Sequence, residues 1–115
     1  MLRSETLSVA LRTSFERAWA LIADPANLHL WTVGFALAPP RPAGRPGVWV
    51  VETPRGPLEV FVRCDDATGV IDFHFGRDGA YRCSPSRLVR QDGGVLYRVQ
   101  ADGGLLGHAC RFYGI

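Results

Sequence analysis

From Leu7 to Leu11 apolar and polar positions alternate. Leu7, Val9 and Leu11 fall on one side, and Ser8, Ala10 and Arg12 on the other, the period of a half-buried strand. Thr13 opens a T-x-x-E box with Glu16, which predicts a helix start, because each side chain can satisfy a main-chain N–H left over in the first turn. Phe15, Ala18, Trp19 and Ile22 then recur at helical spacing up to Ala23. Asp24-Pro25 ends this helix and begins a second, with Asp24 as N-cap, Pro25 in the first position, and Leu28, Leu30 and Trp31 completing it. From Val33 onwards the period is two. It predicts strands over 33–37, 48–52, 58–64, 70–75, 81–90 and 95–101, separated by Pro/Gly- and Asp/Gly-rich turns. Pro85 lies inside the fifth of these, which predicts an edge strand or a bulge. Asp92-Gly93-Gly94 is a hairpin signal before the last. The fold class is therefore α+β: a strand, two short helices, then an antiparallel meander of about six further strands.

Strand parity sorts the side chains onto two faces. Leu58, Val60, Val62 and Cys64, then Ile71, Phe73 and Phe75, then Val95, Tyr97 and Val99 share one face and form an apolar floor. Glu59, Arg63, Asp72, His74, Arg98 and Gln100 share the other, with Phe61 as a lone aromatic among them. Asp72 and His74 stand two apart, the spacing of an oriented general base. Both fall on the charged face beside Arg63 and Arg98, so structural ion pairing is the expectation. No catalytic residue is assigned. His29, beside Trp31, is expected at the surface or rim.

Composition narrows the picture further. A chain of 115 residues allows one domain, residues 1–115, with one real core. Apolar content is 47% and charged content 21%, which sets disorder aside. The apolar runs are only a few residues long, so no membrane span is expected. Met1-Leu2-Arg3-Ser4-Glu5 is not followed by an apolar signal region, and the expected location is cytoplasmic. All thirteen basic residues are Arg. They are scattered among acids with no basic stripe, so nucleic acid is not an expected partner. Cys64, Cys83 and Cys110 are odd in number and form no C-x-x-C, which predicts free, mostly buried thiols. His108-Ala-Cys110 lacks a second pair of ligands, and neither a metal nor another cofactor is expected.

An apolar floor with few polar tips suits a binding site better than a catalytic one. The expected lining is Val60, Val62, Phe73, Phe75 and Tyr97, with Trp49 contributing an indole and Trp31 capping the mouth. The Tyr97 hydroxyl, the Cys64 thiol and the two indole N–H groups are the inward polar groups.

The run Phe15-Glu-Arg-Ala-Trp-Ala-Leu-Ile-Ala23, followed by Asp24-Pro25-Ala-Asn27-Leu28-His-Leu-Trp31, resembles the opening of the SRPBCC, or START-like, superfamily. Gly69-Val-Ile-Asp72-Phe-His74-Phe, Ser86-Arg87-Leu88-Val89 and Gly94-Val-Leu-Tyr97 resemble its later strands, so the resemblance spans about 5–101. It implies a helix-grip fold, a strongly bent antiparallel sheet around a cavity. It also implies an apolar ligand of lipid, polyketide or aromatic type. The alternatives within that resemblance are a polyketide cyclase/dehydrase-like enzyme, for which the orientation of Asp72, His74 and Arg82 is decisive, and a co-chaperone-like interaction module using the outer face. The family normally closes with a long amphipathic helix across the sheet. Residues 102–115 instead carry glycines at 103, 104, 107 and 114 and no helical stripe, so that helix is expected to be absent or truncated. A floor without it would leave a large apolar patch, and a homodimer through the exposed sheet face is the expected remedy.

Overall fold

A computed structural model describes residues 5–101. Seven strands form a single antiparallel sheet: β1 (Glu5–Leu11), β2 (Arg41–Pro42), β3 (Trp49–Thr53), β4 (Gly56–Asp65), β5 (Val70–Arg77), β6 (Ala80–Gln91) and β7 (Gly94–Ala101). Two short α-helices, α1 (Phe15–Ile22) and α2 (Leu28–Trp31), flank a single 3-10 turn at Pro25–Asn27. The spatial order is β1-β7-β6-β5-β4-β3-β2. The two ends of the helical connection therefore lie at opposite edges of the sheet, and the chain between them must cross one face. That crossing defines the inner face.

Local chemistry fixes the helices. Ser14, not Thr13, is the N-cap of α1: its hydroxyl accepts from the Arg17 N–H at 3.1 Å. A cap at Ser14 puts Arg17 rather than Glu16 three residues on, so the expected reciprocal box does not form. Glu16 instead sits in the first turn, where the helix dipole favours it, and pairs with Arg90 at 3.1 Å. Main-chain N–H donation and Arg90 hold its carboxyl below the usual range. The Asp24-Pro25 corner is as expected, with the Asp24 carboxylate accepting from the Ala26 N–H at 3.0 Å. Asn27 then reaches back and donates to the carbonyls of Ala20 and Leu21, two of the acceptors that the end of α1 leaves over. Buried Thr32 donates to the Leu28 carbonyl at 2.5 Å and closes α2.

The expected strand over 33–37 does not form. Gly34 takes a left-handed φ of +73°, which breaks the alternation, and Phe35 is driven into the core while Leu37 is 61% exposed. The segment's main-chain hydrogen bond to the sheet, among the described residues, is from the Leu37 N–H to the Glu52 carbonyl at 2.9 Å. Pro85 also differs from expectation. The β5–β6 register runs unbroken from Val70↔Arg87 to Arg77↔Ala80, so there is no bulge, and β6 is interior in the strand order. The ladder with β7 begins at Ser86↔Val99, however, and Pro85 precedes it, where a missing N–H costs little. The β5–β6 hairpin turns through Asp78-Gly79, both at positive φ (53° and 81°), the combination that matches strand twist in a two-residue turn.

The core lies between the inner face and the helices. Phe15, Ala18, Ile22, Leu28 and Trp31 pack against Val51, Val60, Ile71, Phe73, Leu88, Val95, Tyr97 and Val99. Among the described residues no helix is long and apolar enough to cross a membrane. The expected loss of a long closing helix falls on 102–115, outside the described residues. The patch argument for a dimer rests on the same segment.

Candidate functional site

Register gives the inner face its layout. Trp49, Val60, Phe75 and Arg82 form one row across β3, β4, β5 and β6. Val62, Phe73 and Ser84 form the next, and Cys64, Ile71, Ser86 and Val99 the third. The floor expected from parity is thus one surface, but its members do not share one environment. Trp31, Val60, Phe73 and Tyr97 have no exposed surface. The Trp31 ring sits 6.0 Å from Phe73 and meets Tyr97 edge-on, also at 6.0 Å. Trp31 does not cap a mouth. Its position at the end of α2, against Phe73 and Tyr97, places it within the packed core.

Val62, Phe75 and Trp49 are half-buried. Phe75 meets buried Phe35 edge-on at 5.1 Å and stacks on Phe73 at 6.0 Å, so it bridges the closed core and the open part of the face. Beside this apolar set stands Arg82, exposed and directly across from Phe75. The buried Ser86 hydroxyl is spent on the Ile71 carbonyl at 2.5 Å. The seven expected lining residues therefore divide into four core residues and three at an open zone. Ser84 and Arg82 are additional inner-face residues, which counting by twos back from Leu88 past Pro85 identifies.

Asp72 and His74 are on the outer face, as parity requires: Asp72 opposes Arg63, and His74 opposes Phe61. Ion pairing is not what holds His74. Its ring stacks on Phe61 at 4.6 Å with an 8° interplanar angle, and among the described residues its Nε2 has no hydrogen-bond partner. Nor does an ion pair join Asp72 to Arg63 among the described residues; the Arg63 guanidinium lies 5.9 Å over the Phe61 ring. Phe61 is accordingly no isolated surface aromatic, since Tyr81 also meets it edge-on at 5.1 Å. The Tyr81 hydroxyl donates to Glu59 at 2.6 Å, and Arg45 bridges to the same carboxylate oxygen at 2.8 Å. Those two donors hold the Glu59 carboxyl below its ordinary range, and the hydrogen bond to Glu59 pushes the Tyr81 hydroxyl up.

Cys64 and Cys83 are free, but both are exposed rather than buried: Cys64 lies near the end of β4, and Cys83 is opposite His74 on the outer face, which the helices do not cover. Partial burial of the sulfur raises both thiols, helped by Asp66 and Asp65 at Cys64 and by Asp72 at Cys83. Cys110 lies outside the described residues, as does the His108/Cys110 pair. Among the described residues no three His, Cys, Asp or Glu side chains gather as metal ligands. A concavity of about 370 Å³ lies between α1 and the β4–β5 turn, where the Arg90 guanidinium covers the Phe15 ring at 4.2 Å and Asp66 stands nearby.

No protein-family model matches the sequence, and no curated protein matches it. Solved structures do match in fold. An uncharacterised protein from Bacillus thuringiensis superposes with a TM-score of 0.67 at 13% identity, over 94% of this chain and 85% of its own. The protein XoxI from Bacillus cereus gives 0.62 at 14% identity, over 84% and 70%. A Bacillus halodurans protein solved in solution gives 0.63 at 16% identity, over 86% and 67%. At such identities the likeness is one of fold alone.

Proposed function

We infer that the protein binds a hydrophobic small molecule of lipid, polyketide or aromatic type against the open zone of the inner face, in the manner of a START-like helix-grip domain. The observation that carries this reading is the division of the inner face. A rigid core under the helices continues, through Phe75, into half-buried Val62 and Trp49. Partly covered aromatic and aliphatic surface next to a packed core gains free energy when an apolar molecule covers it, at about 25 cal/mol per Å² removed from water. The connection from β1 to β2, which crosses the inner face from one edge to the other, is consistent with a grip of that kind. Of the three residues on whose orientation the enzyme alternative turns, Asp72 and His74 face the other way. Arg82 alone is on the inner face, which leaves that face a cation without the acid–base pair.

The test is a titration with N-phenyl-1-naphthylamine, a neutral dye that brightens in apolar sites. Saturable brightening is expected with the native chain, and its loss with Val62→Glu, a half-buried site where a charge can reach water without unfolding the core. Equal brightening of the native and Val62→Glu proteins, or none with either, would reject the reading.

A further inference from the structure

We propose that the ligand of the inner face is an amphipathic acid, and that Arg82 binds its carboxylate or sulfonate while Phe75 and Val62 take its apolar body. The inference rests on the binding reading above and adds the chemistry of the ligand's head. In the row Trp49–Val60–Phe75–Arg82, three apolar residues lead to a guanidinium. Residues directly opposite on neighbouring antiparallel strands lie with Cβ atoms roughly 5 Å apart, so the Arg82 side chain rises beside the Phe75 ring.

Arg82 differs from most of the described arginines of the sheet by having no hydrogen-bond or ion-pair partner among the described residues. Arg41, Arg45 and Arg90 pair with Glu52, Glu59 and Glu16. Arg77 donates to the carbonyls of Pro57 and Arg55, and Arg87 to that of Thr68. Arg63 lies over Phe61. Arg98, equally without a partner among the described residues, stands on the outer face opposite Arg87, away from any apolar set. An unpaired guanidinium at the margin of a half-buried aromatic surface favours a ligand whose anionic end reaches the donors while its tail covers the ring. The planar fork suits a carboxylate or sulfonate in two parallel hydrogen bonds.

Two dyes that share a skeleton separate head from body: N-phenyl-1-naphthylamine is neutral, and 8-anilinonaphthalene-1-sulfonate is the same framework carrying a sulfonate. The native protein should bind the sulfonate more tightly. Arg82→Gln should weaken the sulfonate by about tenfold, the change expected for one charge-assisted hydrogen bond at a partly solvated site, and leave the neutral dye unchanged. Arg82→Lys should restore part of the loss. Arg98→Gln removes the same charge from the outer face and should change neither affinity. Dodecanoate and its methyl ester, competing against the neutral dye, should show the same preference for the acid. If Arg82→Gln and Arg98→Gln weaken the sulfonate equally, or the two dyes bind alike, the assignment of Arg82 is wrong although the apolar site stands. If neither dye binds, the site itself is refuted.

Discussion

Replacing Trp31 by Ala removes the largest fully buried side chain from the junction of α2 with the sheet. The indole has no exposed surface and touches the rings of Phe73 and Tyr97, each with centroids 6.0 Å away. A buried Trp hides roughly 200 Å². At about 25 cal/mol per Å² that area contributes about 5 kcal/mol, and Phe73 and Tyr97 cannot close the gap because strands on both sides hold them. Partial relaxation brings the expected loss to about 4 kcal/mol, within the range for truncating a buried aromatic. Against the roughly 5–15 kcal/mol that holds a domain together, this leaves a marginal fold. The assay is urea unfolding followed by far-ultraviolet circular dichroism, with Trp31→Phe as the milder variant at about half the loss or less. The reasoning fails if Trp31→Ala unfolds at the native urea concentration while dye binding disappears, since Trp31 would then line the site rather than support it.

Three further outcomes follow from particular contacts. Gly76→Ala should cost about 2–4 kcal/mol, because a Cβ there would run into the Ala80 carbonyl, whereas Gly79→Asn in the same hairpin, with open space around it and a left-handed φ that Asn tolerates, should cost less than about 1; equal unfolding midpoints in urea would contradict this. Tyr81→Phe removes the main donor to Glu59, so the Glu59 carboxyl should titrate at higher pH by carbon-13 NMR. A depressed carboxyl pKa adds stability that is present above the unfolded value and lost as pH falls through the folded one, so the variant's stability should also fall less steeply in acid; an unmoved Glu59 titration would refute the role of Tyr81. Cys83 should alkylate with iodoacetamide at pH 8 more slowly than a free thiol despite its exposure, and Asp72→Asn should speed it without affecting Cys64; reaction at the free-thiol rate would show that burial and Asp72 do not raise it.

Alternation makes β4, β5 and β7 legible in the sequence within two residues at each end, because one buried face permits only one parity. The same count assigns Asp72 and His74 to the outer face, where they stand. It fails at 33–37, where a period of two is present but Gly34 at positive φ lets Phe35 turn into the core as a plug. Side-chain surroundings are less legible than side-chain faces. The end of a short helix suggests a rim position for Trp31, yet how deeply that helix sinks depends on the crossing chain, which has no local signature. Ser14 and Thr13 are both competent caps, and what decides between them is which residue begins the buried stripe, Phe15, rather than the box pattern. Thiol burial is not written in composition: Cys83 is exposed because its parity turns it to the outer face, and Cys64 because it stands near the end of its strand. Arg82 is within reach of parity, but the proline at 85 suggests a bulge that would reverse its face.

Whether the inner face is the binding face can be measured directly by nitrogen-15 NMR of the native protein titrated with N-phenyl-1-naphthylamine, followed at backbone amides and tryptophan indoles. Binding there requires progressive, saturable shifts at the Trp49 indole and at Val62, Phe75 and Arg82. Phe61, Tyr81 and Arg98 on the outer face should stay within the noise. Saturable shifts centred on Phe61, His74 and Tyr81, with Trp49 and Phe75 unmoved, would put the ligand on the opposite side of the sheet and contradict the proposed function.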